Sequence, residues 1–246
     1  MSGHSKWSTI KHKKAANDKK RGKIFTKVIR ELTISAKLGG GDSNSNPRLR
    51  TAILKAKEAN MPKDTIDRAI KKGTGDLGGV IYEEFTYEGY GPDGVAIFME
   101  IMTDNKNRTA SDVRSIMTKA GGNLGASGCV SYMFDKKGII VFDAEKLTEE
   151  KALEIGIEAG AQDIVADKEN VEVITEVEDF EKVLKAFDDA KISHISAEIT
   201  MLPNTYKDIS EDRIERVLDL IDKLEDLDDI QNVYTNLNLP DDYNVA

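Results

Sequence analysis

The chain has 246 residues, 39% hydrophobic and 32% charged, with a net charge of −9 at pH 7, a composition that supports one large folded domain or two to three small ones. No apolar run approaches the roughly 20 residues of a membrane helix, and the basic N-terminal stretch has no apolar segment behind it, which excludes a secretory signal. The single cysteine, Cys129, excludes an intrachain disulfide framework, so a cytoplasmic protein is expected.

The modest net charge hides a split. Residues 1–72 carry 19 basic against 6 acidic side chains, a net of +13, and residues 73–246 carry 16 against 38, a net of −22. Such an asymmetry points to a polyanionic partner for the basic part, while the acidic remainder repels a polyanion and restricts where it lies.

In chain order, residues 2–22 offer only Trp7 and Ile10 as large apolar side chains. That is too little to build a core, and an arm that is mobile when free is expected. From Lys23 a helix follows, with Phe25, Val28, Ile29, Leu32 and Ala36 at three- to four-residue steps. The glycines at 39–41 end it. Asn46 and Pro47 read as N-cap and first position of a second helix with Leu49, Ala52, Ile53 and Ala56 inward, and Asn60 stops it. Pro62 starts a third, with Ile66, Ala69 and Ile70 buried and Gly73 past its end. The glycine-rich run 73–79 reads as a hinge, so residues 1–79 are expected to stand apart with few buried contacts to the rest.

Beyond the hinge, strands are expected at 84–88, 95–102 and 130–134, with a helix at 107–120. Next come a strand at 138–142, a helix at 149–159, strands at 163–166 and 171–176, a helix at 178–190 and a strand at 195–202. That run is β-α-β-β-α-β, the order of a ferredoxin-like sandwich. A helix at 211–227 and a strand at 233–237 cannot fold alone, but joined to 80–134 they complete a second set. The expected fold is α+β: an N-terminal three-helix domain followed by two ferredoxin-like α/β domains, one inserted in the other. The boundaries are 1–79, then 80–134 with 204–246, and the insert 135–203.

The densest chemical signal is basic. Lys6, Lys11, Lys13, Lys14, Lys19, Lys20, Arg21, Lys23, Lys27 and Arg30 fall within 30 residues, opposed only by Asp18. Cations at this density displace condensed counterions from a phosphate backbone with little sequence preference. Trp7 among them either stacks on an unpaired base or anchors the arm to the bundle. His4 and His12 have no cysteine near them and suit phosphate better than zinc. Arg48 and Arg50 open the second helix, where backbone amides also attract anions, and read equally as phosphate contacts or an exposed helix start. Lys106 and Arg108 open another helix and are further phosphate candidates. Residues 88–94 read as a structural turn. Residues 121–125 match neither a dinucleotide fingerprint nor a Walker loop. Cys129 reads as a buried thiol rather than a nucleophile, and the carboxylates show no catalytic spacing. The expected partner is therefore nucleic acid, with no catalytic residues, metal, cofactor, membrane or small-molecule substrate; an enzyme is the weakest alternative.

Seven blocks carry a resemblance across the whole chain: GHSKW at 3–7, KRGKIFTK at 20–27, NPRLR at 46–50, EGYGP at 88–92, DNKNRT at 104–109, GGNLG at 121–125 and KKG at 136–138. In this order they resemble the YebC/PmpR family. The resemblance implies a three-domain protein with nested α/β domains and a role as a probable DNA-binding transcriptional regulator. It also implies the alternative of a translation factor acting on ribosomal or transfer RNA or on the ribosome, since mitochondrial relatives activate translation and some bacterial ones relieve stalling. The sequence shows no clear helix-turn-helix and no aromatic RNA-binding motif in its strands.

Overall fold

A computed structural model describes residues 18–77 and 82–240, with side chains in the first helix from Gly22 onward. Three helices come first: α1 (Asp18–Gly39), α2 (Pro47–Glu58) and α3 (Lys63–Thr74). Their apolar stripes meet in one cluster of Leu32, Ala36, Leu49, Ala52, Ala56, Met61, Ile66 and Ala69.

Asn46 links the end of α1 to the start of α2. Its Oδ1 accepts from the Leu49 amide at 3.1 Å, and its Nδ2 donates to the carbonyls of Ser35 (2.7 Å) and Gly40 (2.8 Å). One buried side chain thus caps α2 and ties it to the last turn of α1. Asn46→Ala is expected to destabilise the protein by about 1–2 kcal/mol, a lost cap plus two lost side-chain hydrogen bonds. Urea denaturation of the two proteins checks it, and a loss under about 0.5 kcal/mol would contradict the double role.

Gly73 was expected past the end of α3 as part of a hinge. It lies inside the helix instead, and a Cβ there would come within 2.2 Å of the Thr33 carbonyl on α1. Here glycine serves close helix packing rather than flexibility. Gly75, in the left-handed conformation, caps α3.

The next elements are β1 (Glu83–Tyr90), β2 (Ala96–Thr103), α4 (Lys106–Lys119) and β3 (Asn123–Leu124). Strands β1 and β2 form an antiparallel hairpin from Glu83↔Thr103 to Tyr90↔Ala96. Its turn uses positive φ at Asp93 and Gly94, as Asp-Gly hairpin turns require. Strand β2 is buried along its length except at Glu100, as a central strand should be. The two-residue strand β3 was not anticipated. It forms because Gly122 has no Cβ to strike the Tyr90 carbonyl, which such an atom would approach to 2.5 Å.

Residues 130–134, expected as a strand, hold a 3₁₀ turn at Ser131–Met133. Tyr132 is 71% exposed there, while Val130 and Phe134 on either side are buried. Strand β4 (Phe134–Asp143) starts only after it. Then follow α5 (Glu149–Ala159), β5 (Asp163–Ala166), β6 (Asn170–Thr175), α6 (Phe180–Asp189), β7 (Ser196–Pro203), α7 (Glu211–Glu225) and β8 (Ile230–Thr235).

Two four-stranded sheets result, ordered β3-β1-β2-β8 and β5-β6-β4-β7. The second is antiparallel throughout, in the ferredoxin-like order. Its core contains Ile140, Phe142, Val171, Val173, Val183 and Phe187, with the rings of Phe142 and Phe187 4.5 Å apart. Among the described residues the chain divides into two compact units. One comprises 130–210 with 234–240, and the other comprises 18–77, 82–129 and 211–233. The first sheet is thus completed by a strand that returns after the second has been built. Among the described residues no helix is long and apolar enough to cross a membrane.

Candidate nucleic-acid interface

Lys6, Trp7, Lys11, His12, Lys13 and Lys14 lie outside the described residues, and Lys19, Lys20 and Arg21 occupy the first turn of α1 without described side chains. The remaining candidates divide by what the fold gives them.

Arg30 is turned inward. It is 9% exposed and donates through Nη1 to the Met102 carbonyl (2.7 Å) and to Asp229 Oδ1 (2.6 Å), with its guanidinium 5.3 Å from the Tyr82 ring centre. Asp229, itself 7% exposed, also accepts from Arg108 Nη2 at 2.9 Å and from Thr109 Oγ1 at 2.7 Å. Burial alone would raise the Asp229 pKa, but the hydrogen bonds from Thr109, Arg108 and Arg30 hold it below the ordinary carboxylate range. Arg108 further pairs with Asp104 at 2.7 Å. Arg30 and Arg108, expected on phosphate, thus form a knot that ties α1 to the strand ends of the first sheet. A buried arginine cannot reach a phosphate backbone, and Arg30 drops from the candidate interface. The same knot means that the bundle is not set apart from this sheet, because ordering it satisfies a charge that would otherwise be buried alone.

Arg48 is also held within the chain. It donates to Glu31 at 2.7 Å through Nε and forms a second ion pair with Glu84 on β1. Lys106 pairs with Glu83 at 2.7 Å and lies 5.1 Å from the Phe85 ring centre. Lys23 pairs with Asp226 at 2.6 Å, and the Lys27 ammonium donates to the Glu225 carbonyl at 2.9 Å. These surface pairs are worth about 0–1 kcal/mol each and remain exchangeable for phosphate.

Arg50 is exposed and has no carboxylate partner among the described residues. It is joined by cations that sequence reasoning counted without singling out. Lys55 and Lys57 on α2, and Lys63, Arg68, Lys71 and Lys72 on α3, are all exposed with no ion pair among the described residues. Their helix periodicity was the available signal: the apolar stripe of each helix turns them outward.

Cys129 is half-buried. Burial and the nearby Glu88 carboxylate push its thiol pKa up, which favours the unreactive thiol over the thiolate a nucleophile needs.

The comparisons with known proteins bear on this surface. Residues 5–76 match the TACO1/YebC protein N-terminal domain, and residues 82–237 match the TACO1/YebC second and third domain. The chain belongs to the TACO1/YebC family. It is 56% identical over 243 residues to a protein of Treponema denticola named a probable transcriptional regulatory protein, covering 99% of this chain and 98% of the relative. A relative of the same description from Desulfosudis oleivorans is 57% identical over 241 residues, with 98% of each chain covered. Among solved structures, a conserved hypothetical protein of Aquifex aeolicus, Aq1575, shares the fold with a TM-score of 0.81 and 46% identity, over 92% of this chain and 93% of that one.

Proposed function

We propose that this protein is a non-enzymatic, cytoplasmic regulator of gene expression that binds nucleic acid through its basic N-terminal part and acts on transcription. The observation that carries this reading is the charge split at residue 72, +13 against −22, together with seven exposed cations on α2 and α3 that have no ion pair among the described residues. Cations without carboxylate partners are the ones free to neutralise phosphate, and backbone neutralisation supplies most of non-specific affinity. The names of the relatives, probable transcriptional regulatory proteins, support a regulatory role. No metal, nucleotide or small-molecule substrate enters the proposed activity.

Contacts to phosphate position a protein on its target but carry no sequence information. The reading therefore predicts strong, salt-dependent binding with modest discrimination. Crosslinking in cells followed by sequencing of the bound nucleic acid tests it. Enrichment of DNA over RNA, spread across many fragments, is the expected result, and enrichment of ribosomal or transfer RNA would transfer the role to translation.

A further inference from the structure

The first sheet's domain, residues 82–129 with 211–233, contains seven lysines and arginines. Lys106, Arg108, Arg213 and Lys223 have carboxylate partners. Arg114, Lys119 and Arg216 are exposed with no carboxylate partner among the described residues. Two of these three, Lys119 and Arg216, line one cleft between α4 and α7. It has a volume of about 360 Å³ and is lined by Ile116, Lys119, Ala120, Arg216, Asp219 and Lys223. That volume lies within the range of about 300–1,000 Å³ of small-molecule clefts. Asp219 is neutralised by Lys223 at 2.6 Å, so the lining has two uncompensated positive charges over a small apolar floor of Ile116 and Ala120.

The helix that lines the cleft also meets two lysines of the basic segment at its C-terminal end. Arg216, Asp219, Lys223 and Asp226 recur at three- to four-residue steps, which sets them in one line along α7 and just past its end. Asp226 takes the ammonium of Lys23, and the Glu225 carbonyl takes that of Lys27. The first turns of α1 are thereby fixed against the end of α7. At 1.5 Å per residue, Arg216 lies about 15 Å along the helix from that contact.

We propose that the α4–α7 cleft is a second backbone-binding site, in which Lys119 and Arg216 hold a phosphodiester of the nucleic acid engaged by the N-terminal arm. This rests on the proposed function and adds to it a site that the basic segment does not contain. The apolar floor takes the sugar, and the two cations take the non-bridging phosphate oxygens, Arg216 in its two-pronged geometry. The acidic surroundings of the rest of the domain confine the backbone to this line.

The test measures full-length protein binding to a labelled duplex of about 20 base pairs and to a labelled RNA hairpin, by anisotropy across a salt series. Lys119→Ala with Arg216→Ala removes two phosphate contacts. The slope of log affinity against log salt on duplex should flatten by about 1.8, at about 0.9 per contact, with all sequences weakened alike. Both side chains are exposed, so the thermal midpoint should stay unchanged. Asp219→Asn frees Lys223 and should tighten binding. Deletion of residues 1–17, measured alongside, separates the two claims. If the deletion weakens binding while the double variant keeps the parent affinity and slope, the cleft proposal is overturned and the functional reading stands. If neither change matters, the cleft proposal is overturned and the functional reading passes to the exposed cations of α2 and α3. A double variant that loses affinity for poly-glutamate but not for nucleic acid would make the cleft a seat for acidic peptide and also overturn the proposal.

Discussion

Asp229→Asn is expected to cost about 3–5 kcal/mol of stability, the range measured when one partner of a buried ion pair is removed. The carboxylate is buried and takes three side-chain donors, from Arg30, Arg108 and Thr109. The amide keeps one acceptor oxygen and adds two donors of its own, so it cannot serve all three. It also leaves the Arg30 guanidinium buried without a counter-charge. For a chain of this size each kcal/mol moves the midpoint by about 2–4 °C, so a fall of roughly 6–20 °C is expected in the transition that reports the α1–sheet unit. Pairing Asp229→Asn with Arg30→Met should recover part of the loss, because the stranded charge goes too.

The acid dependence follows from the direction of the same pKa. Asp229 is held below its unfolded value of about 3.9, so its contribution is complete above that pH and is lost as pH falls through the folded value. The urea midpoint of the parent should therefore fall more steeply below about pH 4 than that of Asp229→Asn. A variant within 1 kcal/mol of the parent at pH 7 would show that the knot is dispensable.

Deleting residues 1–17 should remove most affinity for nucleic acid and leave the fold intact. The deletion stops where α1 begins, at Asp18, so no turn of the bundle is cut. It takes Lys6, Lys11, Lys13 and Lys14 and no acidic residue. If all four meet phosphates, the salt slope on duplex DNA should flatten by about 3.6. Lys13→Gln with Lys14→Gln should give about half of that, again for every sequence alike. Trp7→Ala separates the two roles left open for that ring. A loss confined to single-stranded or looped RNA marks stacking, whereas unchanged affinity with a lower thermal midpoint marks an anchor. A truncated protein that binds as tightly as the full chain, with the same slope, would sink the arm as the main contact and shift the reading to the exposed cations of α2 and α3.

The sequence by itself determined the elements whose signals are local. Thr148 caps α5, and its bounds 149–159 follow from the apolar period and the glycine at 160. Asn46-Pro47 places the start of α2 to the residue. Charge content is likewise a property of the chain, so the basic-to-acidic switch at residue 72 needed no coordinates. What only the tertiary structure decided is which cations are free. Arg30 and Arg50 read alike in the sequence, yet one is buried on Asp229, 199 residues away, and the other is exposed. No local pattern marks Asp229, because an ion pair across such a separation exists only once β8 lies beside β2. Gly73 misled for the same reason. Its missing Cβ reads locally as freedom, and only the approach of the Thr33 carbonyl shows that it serves packing. The cleft cations Lys119 and Arg216 lie on helices 97 positions apart in the chain, and packing alone joins them. Helices and charge are set by neighbours in sequence, whereas burial and pairing are set by neighbours in space, and only the latter distinguish a binding cation from a structural one.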